Sequence, residues 1–112
     1  MMSESYKIGN HTIIRVWEDL ELNSDLTELK KTVEHDHSIK NLVLAFTEKS
    51  SLYSRTVSVL LEVFRILQRR HGSLSFIKPN HSISFVLNTV GLGHLVRIFG
   101  SEEEISRDKL AA

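Results

Sequence analysis

The 112-residue chain has no cysteine and no net charge at neutral pH, and each of these shortages closes off a class of function. Without cysteine there is no disulfide, no thiol nucleophile and no thiolate metal site, a composition that suits a reducing cytoplasm. Lys and Arg number 14 and Asp and Glu 14, so no net field draws in a phosphate backbone or an anionic membrane, and nucleic-acid binding is not expected. No apolar run approaches the roughly eighteen residues of a membrane helix, and the start lacks a basic-then-apolar signal pattern. A cytoplasmic protein without membrane insertion is expected. There is no glycine-rich phosphate loop. The six histidines, His11, His35, His37, His71, His81 and His94, fall in turns and at element ends, where no nucleophile, base and orienter can be assembled, so neither enzymatic activity nor a cofactor is expected. His35 and His37 flank Asp36, but residues two apart converge poorly on a metal and no third ligand lies nearby; a solvated loop is expected there.

What the chain does have is one long amphipathic stretch, residues 54–70, behind a hydroxyl-rich loop. Val57, Leu60, Leu61, Phe64 and Leu67 recur at helical spacing and belong to a core face. Ser58, Glu62, Arg65 and Arg69 form the polar stripe. Val59, Val63 and Ile66 lie beyond the core face and widen the apolar arc to roughly 220° at helical pitch. That surplus requires a second covering element, either another helix of the chain or a partner protein.

Around this stretch the chain alternates. Residues 6–8 and 12–17 read as a hairpin turned at Gly9 and Asn10, with Trp17 at its rim. Leu22, Leu26, Leu29 and Val33 share a helical face capped by Ser24 or Asp25. The unbroken run Leu42, Val43, Leu44, Ala45 and Phe46 marks a central strand covered on both faces. Ser51 or Ser54 can cap the long helix, Gly72 stops it, and Leu74, Phe76 and Ile77 form the next strand, parallel to the first. After Pro79, Ile83, Val86, Leu87 and Val90 form a helix ended by Gly91, with Leu92 packing back on Leu87. Leu95 to Phe99 read as a short strand, and Ser101 with Glu104 is a capping box for a final helix. The expectation is a single α/β domain over residues 1–112, core 6–108: an N-terminal β-hairpin followed by β/α alternation, with a mixed sheet of about five strands and about four helices. Residues 109–112 read as a vector-derived tail.

This order resembles the STAS domain, the fold of bacterial anti-sigma factor antagonists and of the cytoplasmic tails of sulfate transporters. The segment Phe85 to Phe99, FVLNTVGLGHLVRIF, is similar to the family's C-terminal helix, Gly-Leu turn and last strand. Ser101 to Glu104 resembles the start of its acidic last helix, and Trp17 to Leu22 is similar to its Gly-Glu-Leu-Asp segment, with the glycine replaced. The family signature Asp-Ser-Ser-Gly, whose second serine accepts phosphate from a partner kinase, aligns without gaps on Tyr53, Ser54, Arg55 and Thr56. The phosphoacceptor position therefore holds Arg55, and an acid common at the end of the central strand is replaced by Ala45. A fixed cation neither accepts phosphate nor mimics it, so the usual serine switch is expected to be absent. Ser54 matches the first serine and is the candidate modification site, with a helix cap as its structural alternative.

The resemblance implies a noncatalytic protein-interaction module of bacterial regulation, its partner an anti-sigma factor of the serine-kinase type. The expected contact surface is Tyr53, Ser54, Arg55, Thr56 and Ser58 with the flank Val59, Val63 and Ile66. One alternative is a phosphorylation-independent STAS subunit of a transporter or a multi-STAS signalling assembly. Another is nucleotide or small-ligand binding beside the helix N-terminus. A homodimer is compatible with each.

Overall fold

The computed structural model describes residues 1–108, and the expected vector-derived tail at 109–112 lies outside them. The chain runs β1 (Ser3–Ile8), β2 (His11–Val16), α1 (Thr27–His35), β3 (Asn41–Ala45), α2 (Ser54–Arg69), β4 (Ser73–Ile77), α3 (His81–Thr89), a 3-10 turn (Leu92–His94), β5 (Arg97–Phe99) and α4 (Glu102–Ser106). One five-stranded sheet has the order β1-β2-β3-β4-β5. β1 pairs antiparallel with β2 and the remaining neighbours are parallel. Residues 42–45 of the apolar run lie in the middle strand, with Phe46 just past its end, and the expected alternation of elements holds.

The pleat divides two cores. Ile14, Leu42, Leu44, Leu74 and Phe76 face α1, α2 and α3 in the main cluster. The opposite face carries Ile13, Val43, Ala45, Ile77 and Phe99 under Ile105 of α4. Three helices thus pack on one side of the sheet and one short helix on the other.

Several boundaries differ from the sequence expectation for local reasons. β1 begins at Ser3, because an edge strand with polar residues to water shows little alternation. Gly9 takes the left-handed conformation (φ 59°) at the hairpin, while Asn10 does not. α1 starts at Thr27 rather than near Ser24, and Leu22 is exposed instead of sharing its face. Ser24 Oγ accepts from the Glu21 amide, and Asp25 Oδ1 from the Thr27 amide at 2.8 Å. Trp17 sits just past β2, exposed, as a rim residue. The last strand is confined to 97–99, since Leu95 leaves the 3-10 turn and only Val96 is buried beside it.

α2 is rotated from its expected setting. Its fully buried face is Thr56, Leu60, Val63 and Leu67, with Val57, Leu61 and Phe64 half-buried on one flank and Val59 and Ile66 on the other. Val63 is therefore core and not docking surface. α1 closes the Val59/Ile66 side, where Lys30 Nζ meets Glu62 Oε2 at 2.6 Å and that pairing raises the lysine pKa. The surplus apolar arc is covered within the chain.

The end of α2 is built from three residues. Arg70 sends its guanidinium to the carbonyls of Asp36 (3.2 Å), Ile39 (2.9 Å) and Glu34 (3.4 Å), holding the chain that leaves α1. His71, not Gly72, adopts the left-handed conformation (φ 59°). Gly72 is needed for close approach: a Cβ there would lie 1.8 Å from the Lys40 carbonyl oxygen. At α3 the expected stop holds, with Gly91 at φ 83° and Leu92 and Leu87 together in the main core.

Candidate protein-interaction surface

The loop between β3 and α2 is fixed by polar contacts from three directions. Ser50 is buried, and its hydroxyl accepts from the Leu20 amide at 2.8 Å and pairs with Thr47 Oγ1 at 2.8 Å. Thr47 Oγ1 reaches Asp19 Oδ1 at 2.6 Å. Asn80 Nδ2 donates to the carbonyls of Thr47 (3.3 Å), Glu48 (3.0 Å) and Ser50 (2.7 Å), while its Oδ1 caps α3 on the Ile83 amide at 2.8 Å. One amide side chain thus ties this loop to the next helix. Ser51 Oγ and Ser82 Oγ, 3.1 Å apart, reinforce the link. With its backbone groups satisfied in this way the loop presents a set shape.

α2 then begins at Ser54 with Tyr53 as the flanking N-cap residue, so neither Ser51 nor Ser54 is the cap. The hydroxyl that closes this end belongs to Thr56: its Oγ1 accepts from the Tyr53 amide and donates to the Tyr53 carbonyl, both at 2.8 Å. Thr56 is fully buried, which removes it from the expected contact surface. Its side chain works inward because Thr56 shares the buried face of Leu60, Val63 and Leu67.

Tyr53, Ser54, Arg55 and Ser58 are exposed, and Val59 and Ile66 are half-buried against α1. Of the eight expected contact residues, the surface therefore brings together Tyr53, Ser54, Arg55 and Ser58, with Val59 and Ile66 at its flank. Ser58 Oγ donates back to the Ser54 carbonyl at 2.9 Å. The Ser54 hydroxyl makes no hydrogen bond among the described residues. Arg55 is the second residue of α2, and among the described residues it forms no ion pair. Its field reaches Asp25, whose carboxyl is held below the usual range mainly by the Thr27 hydroxyl and amide and in smaller part by Arg55 and Lys31. There is no acidic residue in the first turn of α2. That end of the helix carries the positive pole of the dipole and a cation together.

Beside it lies an apolar hollow of about 480 Å³, formed by Leu52, Tyr53, Ser54 and Val57 on one wall and Val86 and Val90 of α3 on the other. Tyr53 is 38% exposed, Val90 42% and Phe85, one residue from Val86, 66%. The sequence pattern does not single out this wall; its one signal is the i, i+4 pair Val86 and Val90, which shares the helical spacing of Ile83 and Leu87. A more polar hollow of about 530 Å³ lies at the far end of α2, lined by Lys30, Glu62, Arg65 and Arg69 among others. His37 borders it, yet among the described residues no group of His, Asp or Glu converges to hold a metal ion.

No family model matches the sequence, and no curated protein matches it. By structure the chain is similar to TM1081 of Thermotoga maritima, proposed to be an anti-sigma factor antagonist, with a TM-score of 0.79 at 16% identity over 94% of this chain and 92% of that one. It is similar to the anti-sigma factor antagonist SpoIIAA in its unphosphorylated form, with a TM-score of 0.68 at 14% identity over 95% of each chain. The phosphorylated form of SpoIIAA, described as a Bacillus cell fate determinant, matches with a TM-score of 0.66 at 17% identity, over 95% of this chain and 98% of that one. The architecture is the STAS fold of the anti-sigma factor antagonists.

Proposed function

We propose that the chain is a noncatalytic regulatory module that binds a protein partner through the first turn of α2 and the facing flank of α3. The reading rests on one observation: a rigid loop leads into a first helical turn whose Arg55, with no ion pair among the described residues, stands beside an apolar hollow walled by Tyr53, Val57, Val86 and Val90. An apolar anchor pocket with a charge at its rim is the usual anatomy of a protein-docking site. The fold similarity to anti-sigma factor antagonists supports a cytoplasmic role and an anti-sigma factor of the serine-kinase type as partner. No described helix is long and apolar enough to cross a membrane.

Arg55 stands where the resemblance puts the phosphoacceptor, and this supports a second reading, a subunit of a transport or multi-STAS assembly whose binding does not depend on phosphate. Ser54 is the remaining candidate acceptor: its hydroxyl is exposed, and a phosphate there would meet the free amides of the first turn and the Arg55 guanidinium.

Titration calorimetry against the serine-kinase-type anti-sigma factors of the host tests the proposal. Arg55→Glu should weaken binding at least tenfold, Val90→Asp should abolish it, and Arg107→Glu on α4 should leave it unchanged. Equal binding by wild type, Arg55→Glu and Val90→Asp overturns the surface. Binding of transporter components in place of any anti-sigma factor selects the second reading.

A further inference from the structure

The helix on the far side of the sheet is held differently from the other three. α4 buries one apolar residue, Ile105, and α1, α2 and α3 bury two or more each. Much of its attachment is polar and sits at its two ends. At the start, Glu102 accepts from the Tyr6 hydroxyl and from Arg15 Nη2 (3.1 Å), while Arg15 Nε donates to the Tyr6 oxygen at 2.8 Å. These bonds hold the Glu102 carboxyl below its usual range, and Arg15 well charged. Beyond the helix, Asp108 Oδ2 takes Nε2 of the buried His11 at 3.0 Å and Nη1 of Arg97 at 2.8 Å. Arg97 also lies over the Phe99 ring, 4.9 Å from its centroid, and His11 meets the same ring edge-on.

Two buried polar atoms on this sheet face have no hydrogen-bond partner among the described residues: His11 Nδ1 and Ser75 Oγ. Both belong to the face lined by Ile13, Val43 and Ile77, since His11 and Ile13 alternate together on β2 and Ser75 lies opposite Val43. A buried polar atom without a partner is costly, and water reaching it removes that cost. Both atoms lie on the sheet face that Ile105 of α4 shares, so water admitted to that face would solvate them.

We propose that the segment from Gly100 to Asp108 is a detachable strap over the second sheet face, opening as a unit while β1–β4 and α1–α3 stay folded. Its apolar hold is Ile105 alone; its clasps are Tyr6 and Arg15 on Glu102, and His11 and Arg97 on Asp108. Opening bares Ile13, Val43, Ala45 and Ile77, a surface on the opposite face of the sheet from α2 and α3 and independent of the docking site above. Local opening below the energy of global unfolding is the usual behaviour of elements with few buried apolar contacts.

The absence of cysteine gives a clean probe. In the full chain carrying Ser75→Cys, the thiol should react with a disulfide reagent at least tenfold faster than the thiol of Val63→Cys, which is buried beneath α2. Adding Glu102→Gln and Asp108→Asn should accelerate labelling at position 75 and leave position 63 within twofold. In the unaltered chain, the amides of Arg107 and Asp108, bonded to the Glu103 and Ile105 carbonyls, should exchange with deuterium at least a hundredfold faster than those of β3. Labelling of both thiols at one rate with one denaturant dependence overturns the strap. So does exchange of the α4 and β3 amides at the rate of global unfolding, a measurement that stands even where a cysteine variant does not fold.

Discussion

Replacing Thr56 by valine tests which hydroxyl organises the docking end of α2. The two side chains have nearly the same volume, and position 56 is fully buried, so the change removes the hydroxyl and little else. Lost are the acceptor for the Tyr53 amide and the donor to the Tyr53 carbonyl, each at 2.8 Å. The carbonyl keeps the Val57 amide at 2.9 Å, so the amide is the group left bare. An exposed capping interaction is worth about 1 kcal/mol and a lost bond to a partly buried donor about 1–2 kcal/mol, so a destabilisation of about 1–2 kcal/mol follows. For 112 residues the unfolding entropy is about 0.24 kcal/mol per degree, and Tm should fall by about 4–8 °C. Ser54→Ala should change stability by less than about 0.5 kcal/mol, since that hydroxyl caps nothing. Urea and thermal unfolding of the two variants side by side read the comparison. An unchanged Thr56→Val with a Ser54→Ala that drops by several degrees would refute the reasoning and return the cap to Ser54.

Gly72→Ala should cost about 3 kcal/mol in urea unfolding, because the new Cβ would meet the Lys40 carbonyl, backbone that cannot move without shifting β3 against β4. Arg70→Met keeps the aliphatic stem but frees the carbonyls of Glu34, Asp36 and Ile39; a loss of about 1–2 kcal/mol and faster amide exchange in the chain between α1 and β3 are expected. Glu102→Gln addresses pH. The Glu102 carboxyl is depressed below its ordinary 4.5 by the Tyr6 hydroxyl and then Arg15, so the stability it adds is present above about pH 4.5 and is lost as pH falls through the lower folded value. The Tm gap between wild type and Glu102→Gln should thus be full at pH 7 and close below pH 4.5, amounting to a few degrees at most because Glu102 is 43% exposed.

The order of elements could be read from the chain because hydrophobic period and turn chemistry are local. The run at Leu42 to Phe46 needs both faces covered, and Gly91 needs a left-handed position; neither depends on distant residues. The setting of α2 could not be read, because Thr56 counts as polar in any pattern although its hydroxyl is satisfied by the adjacent Tyr53 backbone. Its burial turns the inward face from Val57 and Phe64 toward Val63. Asn80, next to Pro79, binds three carbonyls some thirty residues earlier, a long-range contact without a local signature. The apolar hollow was hidden for the same reason, since Val57 and Val86 each fit a core face and only the packing of α2 beside α3 leaves them half open.

The order of strands in space repeats their order along the chain, and this bears on how the protein is made. Each new strand docks on the one completed just before it, so a nascent chain leaving the ribosome never has to hold a gap open for a later arrival. The hairpin supplies a template, and every strand–helix unit after it adds one step to a growing stack. Because β5 and α4 follow the other described elements, the clasp over the far face closes only after β4 has supplied the edge on which β5 docks.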